Sequence, residues 1–137
     1  VKPIFEDKEY KNKLSKIEIE HSVEKYFLEE EAKLRREEIK EFIKELKDFD
    51  ITLKELENLS PRKKKLKEMY YNSAEYIIKD DNLYKDFIET QRLPAKKISE
   101  NLKINRKQLD RGRKYIISLI ILYKGNYEML SEYIKRR

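Results

Sequence analysis

Tyr115 to Tyr123 reads YIISLIILY and constrains this chain more than any other stretch. Read as a helix, it is apolar almost all the way round: Ile116, Ile117, Leu119, Ile120 and Leu122 leave no polar face. Such a helix has to be surrounded by other elements. It is far shorter than the roughly 18 to 20 residues of a membrane span. It therefore predicts a central core helix, and the rest of the chain must wrap it.

The wrapping elements also read as helices. Only 2 Gly and 3 Pro occur in 137 residues, too few for the tight turns of an all-β protein. Charged residues make up 44%, but 10 Tyr and 5 Phe argue against disorder. Ile17, Ile19, Val23, Tyr26 and Phe27 recur near the helical period, and Leu34, Ile39, Phe42, Ile43, Leu46 and Phe49 form a clearer stripe. Glu37, Glu41 and Lys44 are spaced for an exposed helical face. Asp48 to Ile51 interrupts this helix. Thr52 then stands three residues before Glu55, a capping box, and Leu53, Leu56 and Leu59 follow. Ser60-Pro61 predicts a helix from Pro61 to about Lys79, with Leu66, Met69, Tyr70, Ala74, Ile77 and Ile78 inward. Asp80 or Asp81 caps the next helix, which buries Leu83, Phe87 and Ile88. Gly125-Asn126 is expected to end the core helix through a left-handed conformation. A last short helix carries Leu130, Tyr133 and Ile134.

The fold class is therefore all-α: a multi-helix domain ending in a helix-turn-helix, a long recognition helix and a short C-terminal helix. Residues 1–30 read as a linker or leading helix from a missing N-terminal domain, with a polar start to about Asn12. Residues 31–137 read as the DNA-binding domain, with the helix-turn-helix at 94–124. The chain begins with Val and reads as a piece of a longer protein. The absence of Cys fits a reducing, intracellular compartment and removes disulfides and Cys-ligated metal sites. No signal peptide opens it.

Charge separates along the chain. Val1 to Leu59 holds 13 Lys/Arg against 17 Asp/Glu, whereas Ser60 to Arg137 holds 20 against 10. The basic part points to a polyanion partner. The acidic part either contacts the basic part or is a solvated surface.

Leu93 to Tyr123 carries the functional signal. Ile98 and Leu102 face inward on a first short helix, with Ser99 as the small residue between them, and Ile104 and Leu109 complete the apolar skeleton of a helix-turn-helix. Lys103 occupies the turn position where Gly is common. Asn105 caps the second helix. Arg106, Lys107 and Gln108 sit where a recognition helix meets base edges, and Arg111 and Lys114 continue that outer face. Arg donates two hydrogen bonds to guanine, and Gln pairs with adenine. Arg113, Lys96 and Lys97 are placed for phosphates. Asp110 either accepts from cytosine or pairs with Arg106 or Lys114. The alternative to a DNA-reading surface is a solvated basic face on a helical hairpin, or a helical protein-interaction module using the acidic helices or Tyr70, Tyr71, Tyr76 and Tyr84. Catalysis is not indicated. His21 is the only His and has Glu20 and Glu24 nearby, no Gly-rich phosphate loop exists, and no metal or other cofactor is called for.

The stretch NRKQLDRGRKYIISLIILYKGNYEMLSEYI resembles the C-terminal segment of bacterial sigma-I (SigI) RNA polymerase sigma factors, whose pattern runs close to SRKTIERNRKYIIA. Arg106, Lys107, Arg111, Arg113, Lys114, Tyr115, Ile116 and Ile117 match it. Asn105, Gln108, Leu109, Asp110 and Gly112 stand where that pattern has Ser, Thr, Ile, Glu and Asn. RREEIKEFIKELKDFDITLKELENLSPRKKK resembles the family's charged helix and Ser-Pro boundary, so the likeness runs from Ala32 to Ile134. It implies a C-terminal domain that binds the −35 promoter element. It also implies that the domain binding the −10 element and core polymerase lies outside this chain. It further implies a cytoplasmic factor held by RsgI, a membrane-anchored anti-sigma factor, through its cytosolic N-terminal domain. The signal would be heat stress, as in bacilli, or extracellular polysaccharide, as in some clostridia.

Overall fold

The computed structural model describes the backbone of residues 8–135 and the side chains of residues 21–132. The described residues form helices and no strand: α1 (Lys8–Asp48), α2 (Leu53–Leu59), α3 (Lys64–Lys79), α4 (Asp81–Thr90), α5 (Ala95–Leu102), α6 (Arg106–Arg111), α7 (Arg113–Lys124) and α8 (Glu128–Lys135). They divide into two compact units, one ending at Glu37 and one starting at Glu38. In the first unit Val23, Tyr26, Phe27, Leu28 and Leu34 are exposed. The first seven residues of the expected linker, and the side chains of Ile17, Ile19, Tyr133 and Ile134, lie outside the described residues.

The second unit is built round α7, where every residue from Ile116 to Leu122 is buried. Burying so many aliphatic side chains contributes about 1.5–3 kcal/mol each before the entropy of ordering is set against it. Helix α3 packs on α7 through Tyr70, Ser73, Ala74 and Ile77. Leu66, Met69 and Ile78 are only partly buried at the margin. The end of α1 supplies Phe42 and Leu46, with Ile39 and Phe49 packed beside them. Ile43, expected in the same stripe, is exposed at the edge. Ile88 is likewise exposed, because α4 buries only its Leu83–Phe87 row.

Acidic side chains of the first half clamp the second. The Glu38 carboxylate accepts from the backbone N–H groups of Met129 (3.1 Å) and Leu130 (3.0 Å), so it serves the otherwise unpaired first turn of α8. Tyr127 donates its hydroxyl to Glu45 and meets Phe42 edge-on at 5.5 Å. Of the two readings of the acidic half, contact with the basic half is realised at Glu38, Glu45 and Glu55.

The caps follow local chemistry. Thr52 and Glu55 form the expected reciprocal box. Asp80 accepts from Asn82 and Leu83 N–H at the start of α4. Two expectations need correction. Helix α3 starts at Lys64, and Ser60 does not cap it; Ser60 closes α2 in an extended conformation with ψ 122°. The chain stays outside helical geometry through Lys63, so α3 begins later and with no side-chain cap. Gly125 ends α7 without a left-handed conformation, at φ −85° and ψ 179°. Glycine is required there by crowding: a Cβ would lie 2.9 Å from the Ile121 carbonyl oxygen and against the Tyr127 ring.

Candidate nucleic-acid interface

Helix α5 is held to α3 by Asn101, which donates to the Tyr76 hydroxyl at 2.9 Å. Ile98 is fully buried beneath it. The chain then turns at Lys103, which takes the left-handed conformation at φ 54° and ψ 48°. Ser99 closes that turn from both sides. Its carbonyl accepts from Ile104 N–H at 3.2 Å, and its hydroxyl donates to the Ile104 carbonyl at 2.7 Å. A Schellman-type end of this kind favours Gly at the left-handed position, yet lysine occupies it here. The hydroxyl bond to Ile104 supplies closure that a small apolar residue at position 99 would not.

Asn105 starts α6 by accepting from Lys107 N–H (2.8 Å) and Gln108 N–H (3.4 Å). Leu109 points into the core with no exposed surface. On the outside, Arg106, Lys107, Gln108, Arg111 and Arg113 are exposed, as are Lys96 and Lys97 on α5. Asp110 pairs with Arg106 at 3.8 Å. That separation is beyond a hydrogen bond and both side chains are solvated, so the contact is weak and yields readily to another partner.

Gly112 interrupts the expected long recognition helix. It departs from helical geometry at φ −93° and ψ 7°, although its N–H bonds to Gln108 and its carbonyl accepts from Ile116. Its lack of a side chain has a tertiary cause: a Cβ would overlap the ring of Tyr70 on α3. The helix is thus divided into an exposed six-residue reading segment, α6, and a buried anchor, α7.

Lys114 departs from the expected outer face. Its ammonium forms a 2.6 Å ion pair with Glu55 and lies 3.4 Å from the Asp50 carbonyl oxygen. The same Glu55 closes the Thr52 capping box. The Lys114 hydrogen bond, then that from Thr52, holds its carboxyl below the usual range. Lys114 therefore ties α7 to the start of α2. One group of cations escaped the sequence reading. Arg62 and Lys63, just before α3, and Lys65, in its first turn, line a groove with Leu66, Met69 and Gln108. The RKKK run was the available signal, but nothing in the sequence places it beside α6.

Three relatives match most of this chain. RNA polymerase sigma factor SigI7 of Acetivibrio thermocellus is 35% identical over 130 residues, covering 95% of this chain and 54% of that protein. RNA polymerase sigma factor SigI of Bacillus anthracis is 34% identical over 119 residues, 87% of this chain and 50% of its own length. SigI of Bacillus subtilis is 34% identical over 121 residues, with shares of 88% and 48%.

The chain belongs to the SigI family of RNA polymerase sigma factors.

It corresponds to the C-terminal region of that family and spans about half the length of the curated relatives it matches. No family model matches it. Where the SigI pattern given above has Asn, this chain has Gly112, and a Cβ there would meet its Tyr70. Among the described residues no helix is long and apolar enough to cross a membrane.

Proposed function

We propose that this chain is the promoter-recognition part of a SigI factor and that α5 and α6 dock on the −35 element. Helix α6 enters the major groove with Arg106, Lys107, Gln108 and Arg111 toward base edges. Lys96, Lys97 and Arg113 hold phosphates, and Asn105 sets the start of the reading helix. Lys114 acts from behind, by fixing α7 to α2. The observation that carries this reading is the two-sidedness of α6: Leu109 is wholly buried while its cationic face is exposed.

Residues 31–137 form the DNA-binding domain in this proposal, and residues 1–30 lead from the rest of the factor. Core polymerase is engaged by the full-length protein, in the bacterial cytoplasm. An RsgI-type anti-sigma factor restrains it, and the family resemblance supports that partner. A protein-docking role is a second reading, favoured by exposed Val23, Tyr26, Phe27 and Leu28 on α1. Light scattering tests the restraint. If inhibitor and DNA compete, no stable ternary complex forms; a ternary complex of fixed stoichiometry contradicts it.

A further inference from the structure

We propose that Arg62, Lys63 and Lys65 form a second phosphate-binding surface on the α3 side of the recognition helix, taking the backbone of the same duplex that α6 reads. The proposal rests on the DNA-binding reading above and extends it to an element outside the helix-turn-helix.

Three observations carry it. First, the groove holding these cations is shared with Gln108, in the first turn of α6. A side chain that reaches base edges from that turn is flanked by the phosphates of the strand bordering the major groove. Second, the cations are exposed, and no ion pair engages Arg62, Lys63 or Lys65 among the described residues. No carboxylate lines this groove; Glu68 lines the adjoining recess, with Lys65, Leu102 and Ile104. Third, Arg62 to Lys65 are four consecutive cations, whose mutual repulsion is relieved by a polyanion. The floor of the groove is fixed: Leu66 and Met69 pack against the core, so the cations are presented from a rigid edge. Duplex DNA is favoured over an acidic protein surface because the groove continues into the reading helix.

The test uses the 137-residue chain and two fluorescent duplexes: one enriched by this chain from a randomised pool, and a scrambled version. Affinity is measured against salt concentration. Replacing Arg62, Lys63 and Lys65 together by Gln is expected to weaken both duplexes by the same factor. The slope of log K against log salt should become shallower by about 2 to 3, near 0.9 for each phosphate no longer neutralised. Each single substitution should lower the slope by about a third of that amount. A wild-type urea midpoint for the variants shows that the fold is intact. An unchanged slope in the triple variant, with wild type binding normally, overturns the proposal and leaves the recognition reading standing. If the triple variant loses slope while Arg106→Ala keeps wild-type sequence preference, the phosphate surface stands and the base-reading role of α6 falls. If wild type enriches no duplex from the randomised pool, both fall.

Discussion

A Cβ on Gly112 would collide with the Cε1–Cζ edge of the Tyr70 phenol ring. Tyr70 is 5% exposed and packs against Tyr115 with ring centroids 5.6 Å apart, so it has little room to retreat. A mid-helix glycine costs about 1 kcal/mol relative to alanine on propensity alone. Here the tertiary contact outweighs that preference. The prediction is that Gly112→Ala destabilises the domain by about 1–3 kcal/mol, the range for forcing extra volume into a packed site. Equilibrium urea unfolding measures it. A gain in stability would mean that Tyr70 is not what selects glycine. Tyr70→Leu in the Gly112→Ala background should recover part of the loss relative to the sum of the single changes.

Lys103 holds φ 54° without being glycine. The left-handed region costs an L-residue roughly 1–2 kcal/mol, part of which is returned because glycine is freer when unfolded. Lys103→Gly should therefore stabilise the domain by up to about 1 kcal/mol in urea unfolding. A loss of stability would show that the Lys103 side chain contributes more than its backbone strain costs.

The Glu55–Lys114 pair should give the domain an acid-sensitive link. Glu55 is held below its ordinary value of 4.5 by Lys114 and then Thr52. A lowered carboxyl contributes fully above its unfolded pKa, and that contribution disappears as pH falls through the folded pKa. Wild type should exceed Glu55→Gln in urea midpoint at pH 7, and the gap should close below about pH 4.5. A gap that persists unchanged at low pH contradicts an ionic origin.

Tyr127 gives the opposite limb. Burial, then the hydrogen bond to Glu45, raises its phenol above the ordinary value of 10. The folded state therefore favours the protonated phenol, and stability falls as pH rises beyond 10. Tyr127→Phe should flatten part of that alkaline decline in a melting-temperature series. An identical decline in the variant would place the effect on other tyrosines.

The sequence made much of this legible because short-range chemistry determines it. The all-round apolar run predicted the buried α7. Thr52–Glu55, Asp80 and Asn105 predicted their caps, and Ile98 and Leu109 predicted the skeleton under the reading helix. What failed depends on partners distant in sequence. Lys114 lies at the spacing of the outer face, but Glu55, 59 positions earlier, draws it in. Gly112 stood inside an expected continuous helix and Gly125 read as a left-handed stop, yet both answer to tyrosine rings packed against them. Arg62, Lys63 and Lys65 were visible as a charge run, but their place beside Gln108 depends on how α3 packs.

The central claim is that α6 reads base sequence while α5 holds phosphate, and paired binding titrations of Arg106→Ala and Lys96→Ala test it most directly. Each variant is titrated against the selected duplex and its scrambled counterpart. Arg106→Ala should cost on the order of 1–3 kcal/mol on the selected duplex and reduce its advantage over the scrambled one. Lys96→Ala should weaken both duplexes equally and lower the salt slope by about 0.9. Wild-type affinity and wild-type preference in both variants would contradict the assignment of α6 as the recognition helix.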